Sequence, residues 1–381
     1  MIIMCWNIQR FRYTDDFYAA YNRNLIIEAI YPGGATNPAV DALAILEVFD
    51  WSGEDLDDPL PPESLGTSAL SLIHRDLRAR SSDGGPDWRL IPPRSLGLGR
   101  RNEGIGVFYN ARSLTWTGPD CWTADGAVPY TGQATIDYPE PWNNLMPSPY
   151  YAARASFTDW EHGTKLTFPD DSHRRPWLVR FSEGSKTVDV LFFHTSPPLR
   201  MDPEDEANPA FLACKYLERA TEVHNPTHDG ITGTVIIGDL NVNANRPDQF
   251  NNALGGLGAL GYSTLLPVTG GGQQAIPTTL KRRGAGAPVP PNPIPPPACN
   301  AYYWDKWAID NALYSSGLSG GGAVIDRTAG TNVPQGHWPS VMRDSIASIR
   351  ETGSPWPVFW ANCNHYQNRR RSDHVAIVIR V

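Results

Sequence analysis

Apolar runs spread along the whole of this 381-residue chain close on polar residues that a buried strand would not choose. In order they are Cys5-Trp6-Asn7-Ile8-Gln9, Ile45-Leu46-Glu47, Phe193-His194-Thr195-Ser196-Pro197, Gly238-Asp239-Leu240-Asn241 and Ile309-Asp310-Asn311. A sixth, Arg371-Ser372-Asp373-His374-Val375, leads into a closing strand, Ala376-Ile377-Val378-Ile379-Arg380-Val381. Alone, the Asp-His pair before a strand is more often an ordinary turn. The set is different, because two sheets packed face to face would gather all these strand ends along one rim.

The rest of the pattern suits such a sandwich. Helical spacing runs from Thr14 to about Ile30, over Thr67–Arg80, over Ala207–His224 and over about Pro247–Leu260. Strand-like runs lie at residues 1–6, 42–49, 88–91, 105–109, 114–117, 177–181, 188–193, 234–237, 308–314, 323–326 and 375–381. Residues 118–172 and 329–370 read as irregular. Thirty-four glycines and 35 prolines favour many turns and long loops over long helices. The Pro-rich stretch from Lys281 to Pro297 is expected to run extended at the surface. Because the polar strand ends span residues 7 to 374, that stretch reads as an insertion and not a boundary. The expectation is one catalytic domain over 1–381, with long insertions at about 111–172, 281–300 and 315–370.

Charge and cysteine usage narrow the class further. The formal net charge is −8, which argues against a broadly basic nucleic-acid coat but not against a local phosphate cleft, since a bound divalent cation supplies positive charge. Five cysteines (Cys5, Cys121, Cys214, Cys299 and Cys363) show no CxxC spacing and read as reduced, buried thiols. No run approaches the roughly 18 apolar residues of a membrane span. Met1–Trp6 is already strand-like, with no basic segment followed by an apolar signal region. The expected location is cytoplasmic, or outside the cell by a route without a recognisable signal peptide.

If the strand ends do meet, Glu47, Asp239, Asp310 and Asp373 bring four acids to one rim, with Asn7 and Asn241 beside them. Oxygen-rich clusters of this kind suit hard cations: magnesium first, with manganese and calcium as alternatives. Zinc fits less well, because nitrogen and sulfur ligands are few. Such a cation can polarise a phosphoryl oxygen and stabilise a leaving alkoxide. His194 and His374 are then the candidates for proton transfer, each needing a carboxylate to set its tautomer.

The ordered Asn, Glu, Asp-x-Asn, Asp and Ser-Asp-His series resembles the endonuclease/exonuclease/phosphatase superfamily over nearly the full length. Finer features are similar to its deoxyribonuclease I branch. Phe193-His194-Thr195-Ser196-Pro197-Pro198 resembles a Leu-His-Ser-Ala-Pro segment, and Arg174-Arg175-Pro176-Trp177-Leu178-Val179-Arg180-Phe181 resembles an Arg-Glu-Pro strand. The resemblance implies a four-layered α/β sandwich: two packed, mainly antiparallel sheets flanked by helices. It implies metal binding by Glu47, helped by Asn7 and Asp373, and two acid–histidine pairs flanking the scissile phosphate, Glu103 with His194 and Asp310 with His374. Asp239 and Asn241 would orient water and phosphate. Arg174 would contact phosphate, with Arg175 beside it as the alternative register. The Leu in Gly238-Asp239-Leu240-Asn241 departs from the commoner Phe, and no cysteine pair matches the disulfide of the secreted enzymes.

The expected activity is divalent-metal-dependent hydrolysis of phosphodiesters by in-line attack of water. The expected substrate is nucleic acid, DNA first, cut with little sequence preference by an endonuclease favoured as a monomer. A lipid or small-molecule phosphodiesterase, sphingomyelinase-like or inositol-phosphate-hydrolysing, is the alternative. It would need an exposed apolar hairpin, which the sequence does not display. Arg369-Arg370-Arg371 reads either as a solvated charged turn or as a phosphate clamp, in which case Arg371 touches substrate. His74, on the apolar side of a helix, reads as a packing residue.

Overall fold

The structure is a computed structural model. It describes residues 1–11, 23, 26–27, 30–31, 36–49, 65–81, 84–91, 93, 96, 103–123, 126–129, 151–168, 174–196, 208–244, 246–265, 309–318, 324–325 and 376–381. In the N-terminal half the strands are β1 (Ile2–Phe11), β2 (Ala42–Phe49), β3 (Trp88–Ile91), β4 (Glu103–Asn110), β5 (Thr115–Gly118), β6 (Asp120–Thr123), β7 (Gly126–Pro129), β8 (Tyr151–Ala152), β9 (Phe157–Thr158) and β10 (Lys165–Leu166). Then come β11 (Trp177–Glu183), β12 (Lys186–His194), β13 (Gly233–Asp239), β14 (Tyr262–Thr264), β15 (Asp310–Ser315), β16 (Val324–Ile325) and β17 (Ile377–Arg380).

Two six-stranded sheets carry the architecture, in the orders β16-β17-β1-β2-β4-β3 and β14-β15-β13-β12-β11-β5. Only β1–β2 and β12–β13 pair in parallel; the other neighbours in both sheets are antiparallel. Parallel pairing needs a crossover, and helices Pro209–Leu217 and Thr221–His224 supply it between β12 and β13.

Side-chain alternation decides what fills each layer, because successive residues of a strand face opposite sides. Ile3, Cys5, Ala44, Val107, Val179, Val190, Ile237, Ala312 and Ile377 belong to one buried cluster fed by both sheets, which is the core between them. The intervening residues Leu191, Phe193, Ile236 and Leu313 form a second core with Phe211, Cys214, Leu217, Phe250 and Leu257 from helices Pro209–Leu217 and Pro247–Ala259. On the other outer face, helix Leu65–Ala79 buries Leu70, Ile73 and Leu77. A Cβ added to Gly106 would come within 2.5 Å of Leu70, so this glycine lets the helix lie close on β4. The result is helix, sheet, sheet, helix: the four-layered sandwich expected from the sequence.

Local departures have local causes. The helical run read over Ala207–His224 is two helices, because Ala220 adopts an extended backbone (φ −69°, ψ 130°) between them. Ala220 and Val223 stay buried, so the apolar pattern continues across a break it cannot reveal. The stretch read as irregular, 118–172, holds a three-stranded sheet, β7-β6-β8, and the β9–β10 pair. Strands of two to four residues are too short to show a period. His74 is a packing residue as expected: its Nε2 lies 2.9 Å from the Trp88 carbonyl, and burial lowers its pKa. Cys5, Cys121 and Cys214 are buried free thiols, again as expected; Cys299 and Cys363 lie outside the described residues. So do most of the helix expected from Thr14 to Ile30 and the Pro-rich stretch. Among the described residues, no helix is long and apolar enough to cross a membrane.

Candidate functional site at the mouth between the sheets

The alternation that fills the inter-sheet core also delivers the polar residues. Asn7 follows Ile3 and Cys5 on the inner face of β1, and Glu103 precedes Ile105 and Val107 on β4. His194 follows Val190 and Phe192 on β12, Asp239 follows Val235 and Ile237 on β13, and Asp310 precedes Ala312 on β15. Each is the inner-face residue nearest one end of its strand's apolar run. His194 is level with Asp239, and Asp239 with Asp310, in the strand registers.

Glu47 is the exception, because strict alternation on β2 would send it outward with Leu43 and Ile45. A bulge corrects this. Between Ile45 and Val48 the strand advances three residues while β4 moves two, from Gly106 to Gly104. Glu47 takes a left-handed backbone, φ 55°. That conformation costs a side-chain-bearing residue about 1–2 kcal/mol, and it re-aims the carboxylate so that Oε1 accepts from Asn7 Nδ2 at 3.1 Å.

The turn after β13 explains the Gly-Asp-x-Asn spacing. A Cβ at position 238 would fall 1.8 Å from the Phe193 carbonyl oxygen, so only glycine lets β13 lie this close to β12. Asp239 Oδ1 accepts the Asn241 backbone N–H at 3.1 Å, a local turn that holds Asn241 at φ 50°, where asparagine is better tolerated than most residues. Asp239 Oδ2 accepts from Asn7 Nδ2 at 3.0 Å. Asn7 thus draws the Glu47 and Asp239 carboxylates together.

His194 sits among four charged neighbours. Its Nδ1 lies 2.7 Å from Glu103 Oε1. Its Nε2 lies 2.8 Å from Arg174 Nη1, 3.5 Å from Asp239 Oδ2 and 3.7 Å from Glu47 Oε1. A guanidinium has only hydrogens to offer, so the Nε2 it meets is the acceptor, and the ring proton is on Nδ1, facing Glu103. Arg174 Nη1 also donates to the Thr195 carbonyl at 3.0 Å, and Nη2 pairs with Glu103 Oε2 at 3.0 Å. Burial pushes the Glu103 carboxyl up to about 7, against the opposing pull of Arg174. The side chains of Arg174 and Glu47 keep 14% and 15% exposure while that of His194 keeps 3%, so the cation and one acid meet solvent and the imidazole lies beneath them.

Most of the residues expected at the rim therefore converge: Asn7, Glu47, Glu103, Arg174, His194, Asp239 and Asn241. Asp310 lies beside Asp239 and is buried. Of the two adjacent arginines, it is Arg174 that reaches Glu103 and His194. Asp373, His374 and Arg371 lie outside the described residues, and with them the expected Asp310–His374 pair. Among the described residues, no group of three or more His, Cys, Asp and Glu side chains is placed to hold a metal ion. Thr195 adds a contact that the sequence does not signal. Its carbonyl accepts from both Arg174 and Asn241 Nδ2, the latter at 2.9 Å, and its hydroxyl donates to the Leu240 carbonyl at 2.7 Å. A role played through a backbone oxygen leaves no mark in residue type.

A two-sheet sandwich with an acid, amide and imidazole cluster at one mouth is the deoxyribonuclease I-like architecture. Residues 4–374 match the model of the Endonuclease/Exonuclease/phosphatase family, and the chain belongs to that family. Its enzymes are hydrolases of phosphodiesters and phosphate esters and are generally dependent on a divalent metal. No curated protein matches the chain in sequence. Similar solved structures include an endonuclease/exonuclease/phosphatase family protein from Leptotrichia buccalis C-1013-b, at 10% identity and TM-score 0.41, covering 83% of this chain and 88% of that one. D. rerio TDP2 complexed with single strand DNA product is 12% identical, TM-score 0.41, with 83% and 84% covered. The 3′ phosphatase NExo from Neisseria, bound to a product DNA hairpin, is 13% identical, TM-score 0.42, with 100% and 98% covered.

Proposed function

We propose that this protein is a divalent-metal-dependent phosphodiesterase, and specifically a DNA endonuclease of low sequence specificity. The observation that carries the reading is the His194 ring, fixed at Nδ1 by Glu103 while Nε2 faces Arg174, Asp239 and Glu47. A neutral, oriented imidazole beside a cation and two acids is the equipment for moving a proton at a phosphate ester. The His194 segment and the Arg174 strand are the features similar to the deoxyribonuclease I branch, which favours DNA as the substrate.

The donor chemistry fits a hard cation. Asn7 gathers two carboxylates, and every donor atom that Glu47, Asp239 and the Asn7 carbonyl could offer is an oxygen. Glu47 would hold the ion with Asn7 and Asp373, magnesium being the first expectation. When bound, such an ion supplies charge stabilisation for the phosphoryl and leaving oxygens. The chain's own residues do the rest. Glu103 fixes the His194 tautomer, His194 Nε2 exchanges a proton with the reacting oxygen, and Arg174 draws the phosphate toward it. Asp239 and Asn241 orient water and phosphate. His374, which the resemblance pairs with Asp310, would serve the opposite side.

The test is a plasmid-nicking assay with magnesium and with excess chelator, run beside a sphingomyelin hydrolysis assay. Nicking that chelator abolishes supports the reading. Sphingomyelin turnover without nicking moves the protein to the lipid phosphodiesterases, and full nicking in chelator removes the metal from the mechanism.

A further inference from the structure

We propose that Arg174 is a substrate-released cap on the His194 base: without substrate its Nη1 occupies Nε2, and an incoming phosphodiester draws it away. This rests on the reading of His194 as a proton-transfer group. The cap is visible in three contacts that close a ring. Glu103 Oε1 meets His194 Nδ1 at 2.7 Å, Glu103 Oε2 meets Arg174 Nη2 at 3.0 Å, and Arg174 Nη1 meets His194 Nε2 at 2.8 Å. A base whose lone pair already accepts an N–H cannot take a proton from water. The nitrogen that would have to do the chemistry is occupied by the group expected to bind the substrate.

The occupant is held in a way that lets it leave. The Nη2–Glu103 contact is an ion pair to a carboxylate that is 2% exposed, whereas Nη1 holds a neutral imidazole and a backbone carbonyl. All these bonds have a charged donor, but only a carboxylate or a phosphate answers it with an opposite charge, and phosphate oxygens match the guanidinium fork. A phosphodiester arriving at the partly exposed side of Arg174 therefore competes best for Nη1, the weaker attachment, while Nη2 stays anchored on Glu103. Nη1 turns onto the phosphate and Nε2 opens in the same movement. The base is then available only when the phosphate it serves is in place. Substrate binding and base exposure become one equilibrium, set by the difference between the two Nη1 partners.

The experiment is long-range nitrogen–proton NMR of the full chain labelled with ¹⁵N-histidine. The chain has nine histidines, and H194A identifies the His194 signals by their loss. The cap predicts a hydrogen-bonded Nε2 in the wild type and its shift toward a non-hydrogen-bonded position in Arg174→Ala. Inorganic phosphate should move the wild-type Nε2 signal and leave that of Arg174→Ala where it is. Arg174→Lys guards against a folding defect, since one ammonium can pair with Glu103 but cannot also reach Nε2 and the Thr195 carbonyl. Its Nε2 signal should resemble that of the alanine variant in a protein that melts close to the wild type. An Nε2 signal identical in all three proteins, or one that phosphate does not move in the wild type, overturns the cap. If the signals behave as expected but no phosphodiester is cleaved, the cap stands and the catalytic reading of His194 falls.

Discussion

Replacing Glu103 with Gln should make the protein more stable at alkaline pH while disabling it, and the size of the effect follows from burial. Glu103 is 2% exposed, and its carboxyl rises from an ordinary 4.5 to about 7. The rise comes from desolvation, with Arg174 opposing it. A carboxyl whose folded pKa exceeds its unfolded one binds more protons folded than unfolded. Its contribution to stability is fully present below pH 4.5 and is lost as pH climbs through 7. At about 1.4 kcal/mol for each pH unit of that interval, the loss is ~3 kcal/mol. Gln cannot ionise and does not suffer it. Urea unfolding of both proteins in chelator at pH 5 and pH 8 measures this directly. The stability difference, variant minus wild type, should grow by about 2.5 kcal/mol between the two pH values, since part of the loss is already present at pH 5. Nicking should fall on the order of 10²-fold, because an uncharged amide cannot face both His194 Nδ1 and Arg174 as a carboxylate does. A stability difference that does not change with pH would refute the raised pKa of the buried Glu103.

Three further outcomes test the frame around the site. Glu47→Gln should lose most nicking activity yet keep its circular dichroism and melting temperature, since the side chain lies at the rim; unfolding of this variant would make Glu47 a structural residue. Gly238→Ala should lower unfolding free energy by about 3 kcal/mol or prevent folding, because its Cβ meets a backbone oxygen that cannot move aside; a wild-type denaturation midpoint would contradict the close approach of β12 and β13. Asn241→Ala and Asn241→Gly both lose the bond to the Thr195 carbonyl, but alanine also bears the φ 50° backbone. In urea titrations the glycine variant should be the more stable by about 1 kcal/mol.

The strands and most of the site are legible in the sequence because apolar runs end on polar residues, in an order that resembles one family; the structure shows that strand alternation is what delivers them to one mouth. Trp88–Ile91 was read with its observed limits, and Asn7, His194, Asp239 and Asp310 continue inner-face positions that the apolar residues before or after them define. Glu47 was found by its company and not by its period, because the bulge that turns it inward is a backbone event that breaks the alternation. The Gly-Asp-x-Asn motif was seen, but the steric reason for its glycine lies on another strand, in the Phe193 carbonyl. Arg174 was expected on phosphate, and the structure has it on His194, since sequence cannot say where a long side chain rests without its ligand. The small β7-β6-β8 sheet leaves no sequence signal because its pairing is long-range, joining Cys121 to Tyr151 across residues with no regular pattern.

The nicking rate of His194→Ala in magnesium, measured against the wild type under identical conditions, tests the role of His194 most directly. A positioned proton-transfer group is worth on the order of 10²–10⁴-fold in rate. The variant should lose that much while binding plasmid and melting like the parent. A His194→Ala protein that nicks nearly as fast as the wild type would contradict the central claim.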